Sequence, residues 1–236
     1  MSKYIVLAFT TLCLITVLGI TYYPVNNTLL KLALIASLIG LWLGVLYLGW
    51  YKRMLRFLIV MLPILLAIPI FLPSKNINPD QLRQSYLDHM LALQNTPYYW
   101  GGENMRGIDC SGLPRRALRE ALLSEGIEHA NGQAFRSYID QWWHDTSAKA
   151  MSQGYRNYTQ PIGTTGTIQT MAYSALIAGD LAVTANGVHV MVYLGNNQWI
   201  QADPNAKKVH VQNGRTDTNY WFNVPVTTHR WQILAK

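Results

Sequence analysis

The sequence predicts an α+β domain with a small antiparallel sheet, preceded by about three membrane-spanning helices. The first 75 residues are dominated by long apolar runs, and a polar, diverse sequence follows them. In that polar part, helical spacing of apolar residues comes first and strand-like alternation comes afterwards, which is typical of α+β domains. We therefore expect a membrane region over residues 1–75 and a folded domain over residues 76–236.

Three apolar runs make up the predicted membrane region, at about residues 4–23, 30–50 and 57–72. A helix of about 20 apolar residues is long enough to cross the hydrocarbon core of a bilayer. The third run is shorter and contains Pro63 and Pro69, which neighbouring helices can accommodate inside a membrane. The sequence therefore predicts three spans, the third being the least secure.

The basic residues of this region indicate its orientation. Lys3 precedes the first run, and Lys52, Arg53 and Arg56 lie between the second and third. Because Lys and Arg are enriched on the cytoplasmic side, three spans would deliver the folded domain to the periplasmic or extracellular side of a bacterial cytoplasmic membrane. If the third run only lay on the membrane surface, the domain would be cytoplasmic instead.

Charge and motif content exclude several other classes of function. All twelve acidic residues lie at or beyond Asp80, so the net charge of +7 belongs mostly to the membrane region and the folded part is nearly neutral. That part lacks the basic clustering expected of a nucleic-acid-binding domain. It also lacks C-x-x-C and H-E-x-x-H spacings. We expect no nucleic-acid partner, no metal and no cofactor.

The folded part is predicted to begin with helices. Asp80 to Asn95 has helical spacing, with Asp80 as its cap, and a second helix is expected from close to Cys110 to about Ser124, with Gly126 ending it. A further helix is expected within residues 134–149. The Gly- and Thr-rich segment 159–170 is predicted to be a loop.

Short alternating runs then predict antiparallel strands. The turn signals between them are Asn-Gly at 186–187, Gly-Asn-Asn at 195–197 and Asn-Gly at 213–214. The predicted strands are residues 180–184, 188–194, 199–202, 208–212, 221–226 and 231–234.

Cys110 is the candidate nucleophile. Of the two cysteines, Cys13 lies in an apolar run, so Cys110 is the only thiol of the folded part. A thiolate at the start of a helix is stabilised by the oriented N–H groups there, which could also hold the oxyanion formed during attack on an acyl carbon. Pro114 indicates that the helix starts close by, because proline is tolerated only in the first turn. Taken alone, a cysteine before a helix would more often be an inert buried thiol, so its neighbours must decide.

His189 is the candidate base, and Gln201 the candidate group that orients it. His189 lies in an otherwise apolar strand, and a hairpin that reverses near Gly195 would bring Gln201 beside it on the same face. The Gln carbonyl could then accept from one ring nitrogen and leave the other for the thiol. A slip of one residue in register would separate the two side chains.

Four short blocks occur in the order found in the NlpC-type family, which the chain resembles over about residues 83–205. This family consists of papain-like cysteine peptidases that hydrolyse peptide bonds in bacterial peptidoglycan. The resemblance implies a papain-like fold, a peptidoglycan peptide substrate and a membrane-attached cysteine peptidase. The blocks are Pro97-Tyr98-Tyr99-Trp100-Gly101-Gly102, Asp109-Cys110-Ser111-Gly112-Leu113, Gly179-Asp180-Leu181 and His189-Val190-Met191-Val192-Tyr193-Leu194-Gly195.

The resemblance also implies roles for individual residues. Cys110 would be the nucleophile, His189 the general base and Gln201 the third, orienting residue. Tyr98 would point its hydroxyl toward the thiolate, and Asp109 and Ser111 would contact the peptide stem of the substrate. The chain departs from the family pattern at Ala178, where proline is common, at Pro114 and in an insertion over about residues 127–176, which leaves substrate choice open.

Two other functions remain open at this stage. The same catalytic groups could act as an amidase or acyltransferase on another, lipid-linked substrate. Alternatively, the domain could be a non-catalytic module that binds the cell wall. The peptidase is favoured because the order Cys, His, Gln coincides with an outward topology.

Overall fold

The computed structural model describes residues 2–235. These residues form seven α-helices: α1 (Lys3–Tyr22), α2 (Thr28–Gly49), α3 (Arg53–Phe71), α4 (Pro79–Leu91), α5 (Gly112–His129), α6 (Gly132–Trp143) and α7 (Ala148–Ser152). They also form eight strands: β1 (Glu103–Asn104), β2 (Gly107–Ile108), β3 (Thr159–Gly166), β4 (Leu181–Thr184), β5 (Val190–Gly195), β6 (Gln198–Asp203), β7 (Lys208–Asn213) and β8 (Val226–Trp231).

The three N-terminal helices fit a membrane anchor. Each of α1, α2 and α3 is long and apolar enough to cross a membrane. Lys3 lies 5.6 Å from the centre of the Tyr51 ring, so the start of α1 and the α2–α3 connection lie at the same end of the bundle. The folded domain begins at the opposite end, after α3.

The folded domain is α+β and papain-like. Its main sheet is antiparallel, with strand order β3-β8-β4-β5-β6-β7, and a separate hairpin is formed by β1 and β2. Helices α4 and α5 pack against each other and share one core with the strands; in this core Tyr86, Leu118 and Trp231 are fully buried. Trp231 Nε1 donates to Tyr86 Oη at 3.1 Å, which ties β8 to α4.

The start of α4 differs from the sequence prediction. Asn78, not Asp80, caps the helix, and its Oδ1 accepts from Asp80 N at 3.0 Å. Pro79 takes the first helical position, which suits proline because the N–H there needs no helical partner. The helix ends at Leu91, earlier than the predicted Asn95.

The end of α5 also differs. The prediction that Gly126 ends the helix is wrong, because α5 continues to His129 and ends where Ala130 adopts a left-handed conformation. Gly126 lies inside the helix, where the Phe135 ring comes within 3.1 Å of the position that a Cβ would occupy. Gly126 is thus explained by the packing of α6.

The predicted loop at 159–170 is largely strand. Residues Thr159–Gly166 form β3, an edge strand that pairs with β8. The Gly and Thr content coincides with a register shift between Pro161 and Thr165, and Gly163 has a φ of 93° there. The Gly and Thr content thus indicated the register shift within this segment. It did not indicate that the segment pairs with β8, near the C-terminus.

The last two predicted strands, at 221–226 and 231–234, are wrong. One strand, β8, occupies Val226–Trp231, with a short 3-10 turn on each side. Asn219 caps the first turn by accepting from Trp221 N at 2.9 Å. This local hydrogen bond outweighs the β-propensity of the aromatic residues.

Two of the three predicted hairpin turns are present, at 186–187 between β4 and β5 and at 195–197 between β5 and β6. The third, at 213–214, does not join neighbouring strands, because β7 lies at the edge of the sheet and β8 pairs with β4 and β3. The turn that joins β6 and β7 lies at 204–207.

The insertion at 127–176 contains α6, α7 and β3. Helix α6 lies against the outer end of α3, where Arg136 donates to Ile70 O at 2.7 Å and Leu72 O at 3.1 Å. Just after α6, Asp145 forms an ion pair of 2.6 Å with Lys31, which lies in the first turns of α2 and is only 1% exposed. The insertion therefore attaches the folded domain to α2 and α3.

The connection between α1 and α2 makes a third attachment. Glu103 N donates to Pro24 O at 2.8 Å and Asn26 N donates to Gly101 O at 3.1 Å, so Val25 bridges to Gly102 beside the β1–β2 hairpin. Part of the membrane region thus adds an extended segment to the folded domain, next to the segment that leads to Cys110.

Candidate active site

Cys110 lies two residues before α5, at the mouth of that helix. Its side chain is buried, with 6% exposure. The start of α5 lies close to the β1–β2 hairpin: a Cβ on Gly112 would come within 2.3 Å of Gly102 O. Glycine at 112 therefore allows the helix to begin directly against the hairpin, which fixes the position of the sulfur.

Asp109 holds this helix start in place. Its Oδ1 accepts from Gly112 N at 2.6 Å and from Ser111 Oγ at 3.0 Å, and its Oδ2 accepts from Gly101 N at 2.9 Å. Both carboxylate oxygens and the Ser111 hydroxyl therefore have partners within the protein. Contact of Asp109 and Ser111 with a substrate stays a prediction.

His189 and Gln201 are in direct contact. His189 Nε2 lies 2.7 Å from Gln201 Oε1, and each residue is 1% exposed. Gln201 Nε2 donates to Gln212 Oε1 at 3.2 Å, which directs the Gln201 oxygen toward the ring. Since an amide oxygen only accepts, this bond places the imidazole proton on Nε2 and leaves Nδ1 as the basic nitrogen.

The register between β5 and β6 differs slightly from the predicted one. Val192 pairs with Ile200 and Tyr193 with Trp199. Continuing this register places position 203, rather than Gln201, directly across from His189. The shift of two residues keeps all three side chains on one face, so Gln201 reaches His189 diagonally.

The sulfur of Cys110 lies against the chain that bears His189. Cys110 Sγ donates to Val188 O at 3.8 Å. The backbone N–H groups of Val190 and Ser111 also face the sulfur, since each favours its negatively charged form. The residues on both sides of His189 therefore touch the thiol.

The pKa values indicate a neutral pair in the resting site. Burial, and next the negative charge of Asp109, raise the pKa of Cys110 to about 12, against the lowering effect of the Val190 and Ser111 N–H groups. Burial lowers the pKa of His189 to about 4, although Gln201 and Asp203 act in the opposite direction. The stabilisation of a thiolate expected from the helix start is thus outweighed by burial, and Cys110 is a thiol near neutral pH.

Tyr98 is half-buried beside the thiol. Burial raises the pKa of its phenol well above the usual range, and the negative charges of Cys110, Asp109 and Asp203 add to this effect. The hydroxyl is therefore protonated near neutral pH.

Four residues of the site were missed by the sequence analysis. The Trp221 ring stacks on His189, with centres 4.1 Å apart and 16° between the planes, and its Nε1 lies 3.3 Å from Asp203 Oδ1. Asn219 Nδ2 donates to Asp203 Oδ2 at 2.9 Å and to Gln212 Oε1 at 2.8 Å. A hydrogen-bonded chain therefore runs from Asp203 through Asn219, Gln212 and Gln201 to the imidazole.

Asp203 is the charged end of this chain. Burial alone would raise its pKa, but hydrogen bonds from His210, Asn219 and the backbone N–H of Asn205 outweigh burial and bring the pKa well below its usual range. It is 1% exposed and ionised at neutral pH. Between residues 2 and 235, no group of three or more His, Cys, Asp or Glu side chains is arranged to hold a metal ion.

Comparison with known proteins places this site in a family. The sequence profile of the NlpC/P60 family matches residues 95–230, a stretch that includes every candidate site residue. No curated protein sequence matches the chain.

Several solved structures are similar to this chain. The P60 domain of an antigen from M. avium subspecies paratuberculosis has 21% identity over 68% of this chain and 100% of that one, with a TM-score of 0.42. The peptidoglycan hydrolase RipB of Mycobacterium tuberculosis has 23% identity over 64% and 65%, with a TM-score of 0.39. The NlpC/p60 domain of the peptidoglycan hydrolase SagA has 22% identity over 58% and 90%, with a TM-score of 0.35.

Proposed function

The chain belongs to the NlpC/P60 family, and from this membership we propose that it is a membrane-anchored cysteine peptidase that hydrolyses an amide bond in the peptide stem of peptidoglycan. The family supports a hydrolase that acts on peptidoglycan. The observation on which the peptidase assignment rests is the 2.7 Å hydrogen bond between Gln201 Oε1 and His189 Nε2, formed where the chain on both sides of His189 touches Cys110.

In the proposed reaction, His189 Nδ1 takes the thiol proton as Cys110 Sγ attacks the carbonyl carbon of the stem amide. The N–H groups that face the sulfur, from Ser111 and Val190, are suited to stabilise negative charge there. The tetrahedral intermediate collapses as His189 returns the proton to the leaving amine, which gives a thioester on Cys110. Water, deprotonated by His189, then hydrolyses the thioester, releases the acid and restores the thiol.

An outward location is supported by the charges of the anchor. Lys3, Lys52, Arg53 and Arg56 lie at the end of the helix bundle opposite to the folded domain. Positive residues at the cytoplasmic ends of membrane helices place the domain on the periplasmic or extracellular side. The peptide stem of the wall is accessible only there.

The test is hydrolysis by the full chain in lipid nanodiscs, with isolated wall sacculi and a free stem-like peptide as substrates. Cys110→Ala is expected to abolish the release of new amino termini. Cys13→Ala is the matched control, because Cys13 is the other buried thiol and lies inside α1. Cys13→Ala should keep the activity, and hydrolysis that survives in Cys110→Ala would reject the mechanism.

A further inference from the structure

The distance between the nucleophile and the membrane is fixed by direct contacts. Asn26, in the connection between two membrane helices, donates to Gly101 O at 3.1 Å, and Gly101 N donates to Asp109 Oδ2 at 2.9 Å. Two hydrogen bonds and one residue therefore separate the α1–α2 connection from the residue before Cys110. Tyr23 and Pro24, directly after α1, are also bonded to Asn104 and Glu103 of the β1–β2 hairpin, so the thiol lies close to the end of α1.

The polar layer of the membrane begins where its spanning helices leave the hydrocarbon core. Headgroups extend about 5–8 Å beyond the hydrocarbon core on each side. Helix α1 ends with Tyr22 and Tyr23, and tyrosine at a helix end is typical of the boundary between hydrocarbon and headgroups. The Cys110 site therefore lies in or just above the headgroup layer.

Exposed aromatic residues on the domain lie at the same level. The Tyr99 ring packs edge-on against Tyr23, with centres 6.3 Å apart, and Asn104 Nδ2 donates to Tyr23 O at 2.9 Å. Between these contacts Trp100 is 77% exposed, although it is adjacent in sequence to the site residues. An exposed indole beside the end of a membrane helix is suited to the headgroup layer, where tryptophan is enriched.

The domain cannot extend away from this position while its contacts persist. The insertion holds α2 through Lys31 and Asp145 and holds α3 through Arg136. The connection from α3 is itself bound, because Gly132 N donates to Pro73 O at 3.0 Å and Lys75 N donates to Asn131 Oδ1 at 3.0 Å. The chain therefore has no slack tether that would let the site search the space above the membrane.

We infer that the substrate is a stem peptide attached to a membrane lipid, held at the headgroup layer, rather than a peptide distant from the membrane. This inference rests on the proposed function. Lipid attachment confines the peptide to the layer in which the thiol lies, and raises its effective concentration there.

The test measures the height at which the site cuts. The full chain is placed in nanodiscs with a stem-like peptide joined to a palmitoyl chain, either directly or through a spacer that holds the peptide about 30 Å above the headgroups, which equals a bilayer core thickness. The same peptide free in solution at equal total concentration is the third substrate, and Cys110→Ala is the blank. The directly attached peptide is expected to be cut faster than the spaced one, and about 10²-fold faster than the free one.

The outcomes separate the two proposals. If the spaced and free peptides are cut and the directly attached one resists, the substrate inference is overturned while the peptidase stands. Equal rates for the directly attached and spaced peptides would also overturn it, whatever the rate for the free peptide. If none of the peptides and no sacculi are cut, the proposed function fails, and the substrate inference fails with it.

A second measurement does not depend on activity. The full chain containing 5-fluorotryptophan is placed in nanodiscs that contain a gadolinium-chelating headgroup lipid, and Trp100→Phe identifies the ¹⁹F resonance of Trp100. That resonance is expected to broaden strongly, whereas the resonance of fully buried Trp231 is the internal reference. Equal broadening of the two would overturn the position of the site at the headgroup layer.

Discussion

At the scale of single residues, the direction of each hydrogen bond in the site follows from one carboxylate. Ionised Asp203 can only accept, so Asn219 must direct its NH₂ group toward it, and the Asn219 oxygen accepts from Trp221 N. The same NH₂ group bonds Gln212 Oε1, which also accepts from Gln201 Nε2. The Gln201 oxygen is therefore left for His189, and this sets the tautomer of the imidazole.

Asp203→Asn is expected to weaken this control. An asparagine can present either a donor or an acceptor to Asn219, so the chain of amides loses its fixed direction. We expect kcat to fall about tenfold with little change in KM, less than the 10²–10⁴-fold that general base catalysis supplies. The decisive measurement is the ¹⁵N chemical shifts of the His189 ring, which should show a smaller fraction of the Nε2–H tautomer.

Asp180→Asn is the matched control for this variant. Asp180 is also a carboxylate with 1% exposure, but it pairs with Arg230 and has no bond to the amide chain. It should lower thermal stability without changing the His189 tautomer. If Asp203→Asn lowers stability and leaves the tautomer unchanged, the role of Asp203 is structural only.

The pH dependence of the reaction follows from the buried imidazole. His189 must be neutral to accept the thiol proton, and its pKa of about 4 lies below the ordinary value near 6.5. Protonation, and hence loss of activity, is therefore shifted to lower pH. With a peptide substrate that has no titrating side chain, kcat/KM should rise with an apparent pKa of about 4 and stay level through neutral pH, because the raised pKa of Cys110, about 12, keeps it a thiol there. A rise centred near 6.5 would contradict this.

At the scale of elements, the sequence predicted best where local pattern and tertiary structure agree. Strands β4 to β7 have short alternating runs bounded by turn residues. Each of them pairs with the strand that precedes or follows it in the sequence. Strand β3 could not be predicted in this way, because its pairing with β8 depends on residues at the other end of the domain. The segment at 221–226 failed for the opposite reason, since a local cap at Asn219 overrides a strand-like composition.

The residues of the candidate site were likewise predictable where a local sequence pattern indicates their position. Cys110, His189 and Gln201 could be found because a helix start, an apolar strand and a hairpin place them. Asp203 and Gln212 had a usable signal as well: polar residues alternate with apolar ones along β6 and β7, so these two share a face with Gln201. Asn219 and Trp221 had none, because a 3-10 turn brings them to the site.

The ion pair between α2 and the insertion gives a prediction at this scale. Asp145→Asn leaves Lys31 buried without a charged partner, which should cost about 3–5 kcal/mol. Lys31→Met should cost less, because Asp145 is about a third exposed and still lies 3.4 Å from Arg115. Combining the two substitutions should restore stability to near that of Lys31→Met alone. Thermal unfolding of the full chain in one detergent measures all three.

Asp88→Asn is the control, since Asp88 is exposed on α4 and should change stability by no more than about 0.5 kcal/mol. Additive effects of the Lys31 and Asp145 substitutions would show that the two charges do not interact. The attachment of the insertion to α2 would then depend on other contacts.

At the scale of the whole molecule, the three apolar helices and the folded domain are held together by buried contacts. Glu103 is buried at the start of the β1–β2 hairpin, where burial raises its pKa but Arg115 and Arg119 outweigh this and keep the pKa below its usual range. Asn26, from the α1–α2 connection, also donates to this carboxylate. The contacts between the apolar helices and the folded domain therefore continue into the hairpin against which α5 and Cys110 are placed.

Cutting the chain should therefore have different effects from removing the anchor. In a full chain with a protease site inserted between Ser74 and Lys75, cleavage in nanodiscs should leave the domain bound and active, because the Pro24, Asn26, Lys31 and Arg136 contacts remain. Residues 76–236 made alone lack these partners and lose more than five hydrogen bonds; at about 1 kcal/mol for each, Tm should fall by about 10–20 °C. The peptidase activity of the separate domain should fall with it, since Gly101 and Glu103 lose the strand that orders them next to Asp109. Sedimentation of the cleaved nanodiscs measures attachment, and release of a fully active domain would show that the anchor serves only as a tether.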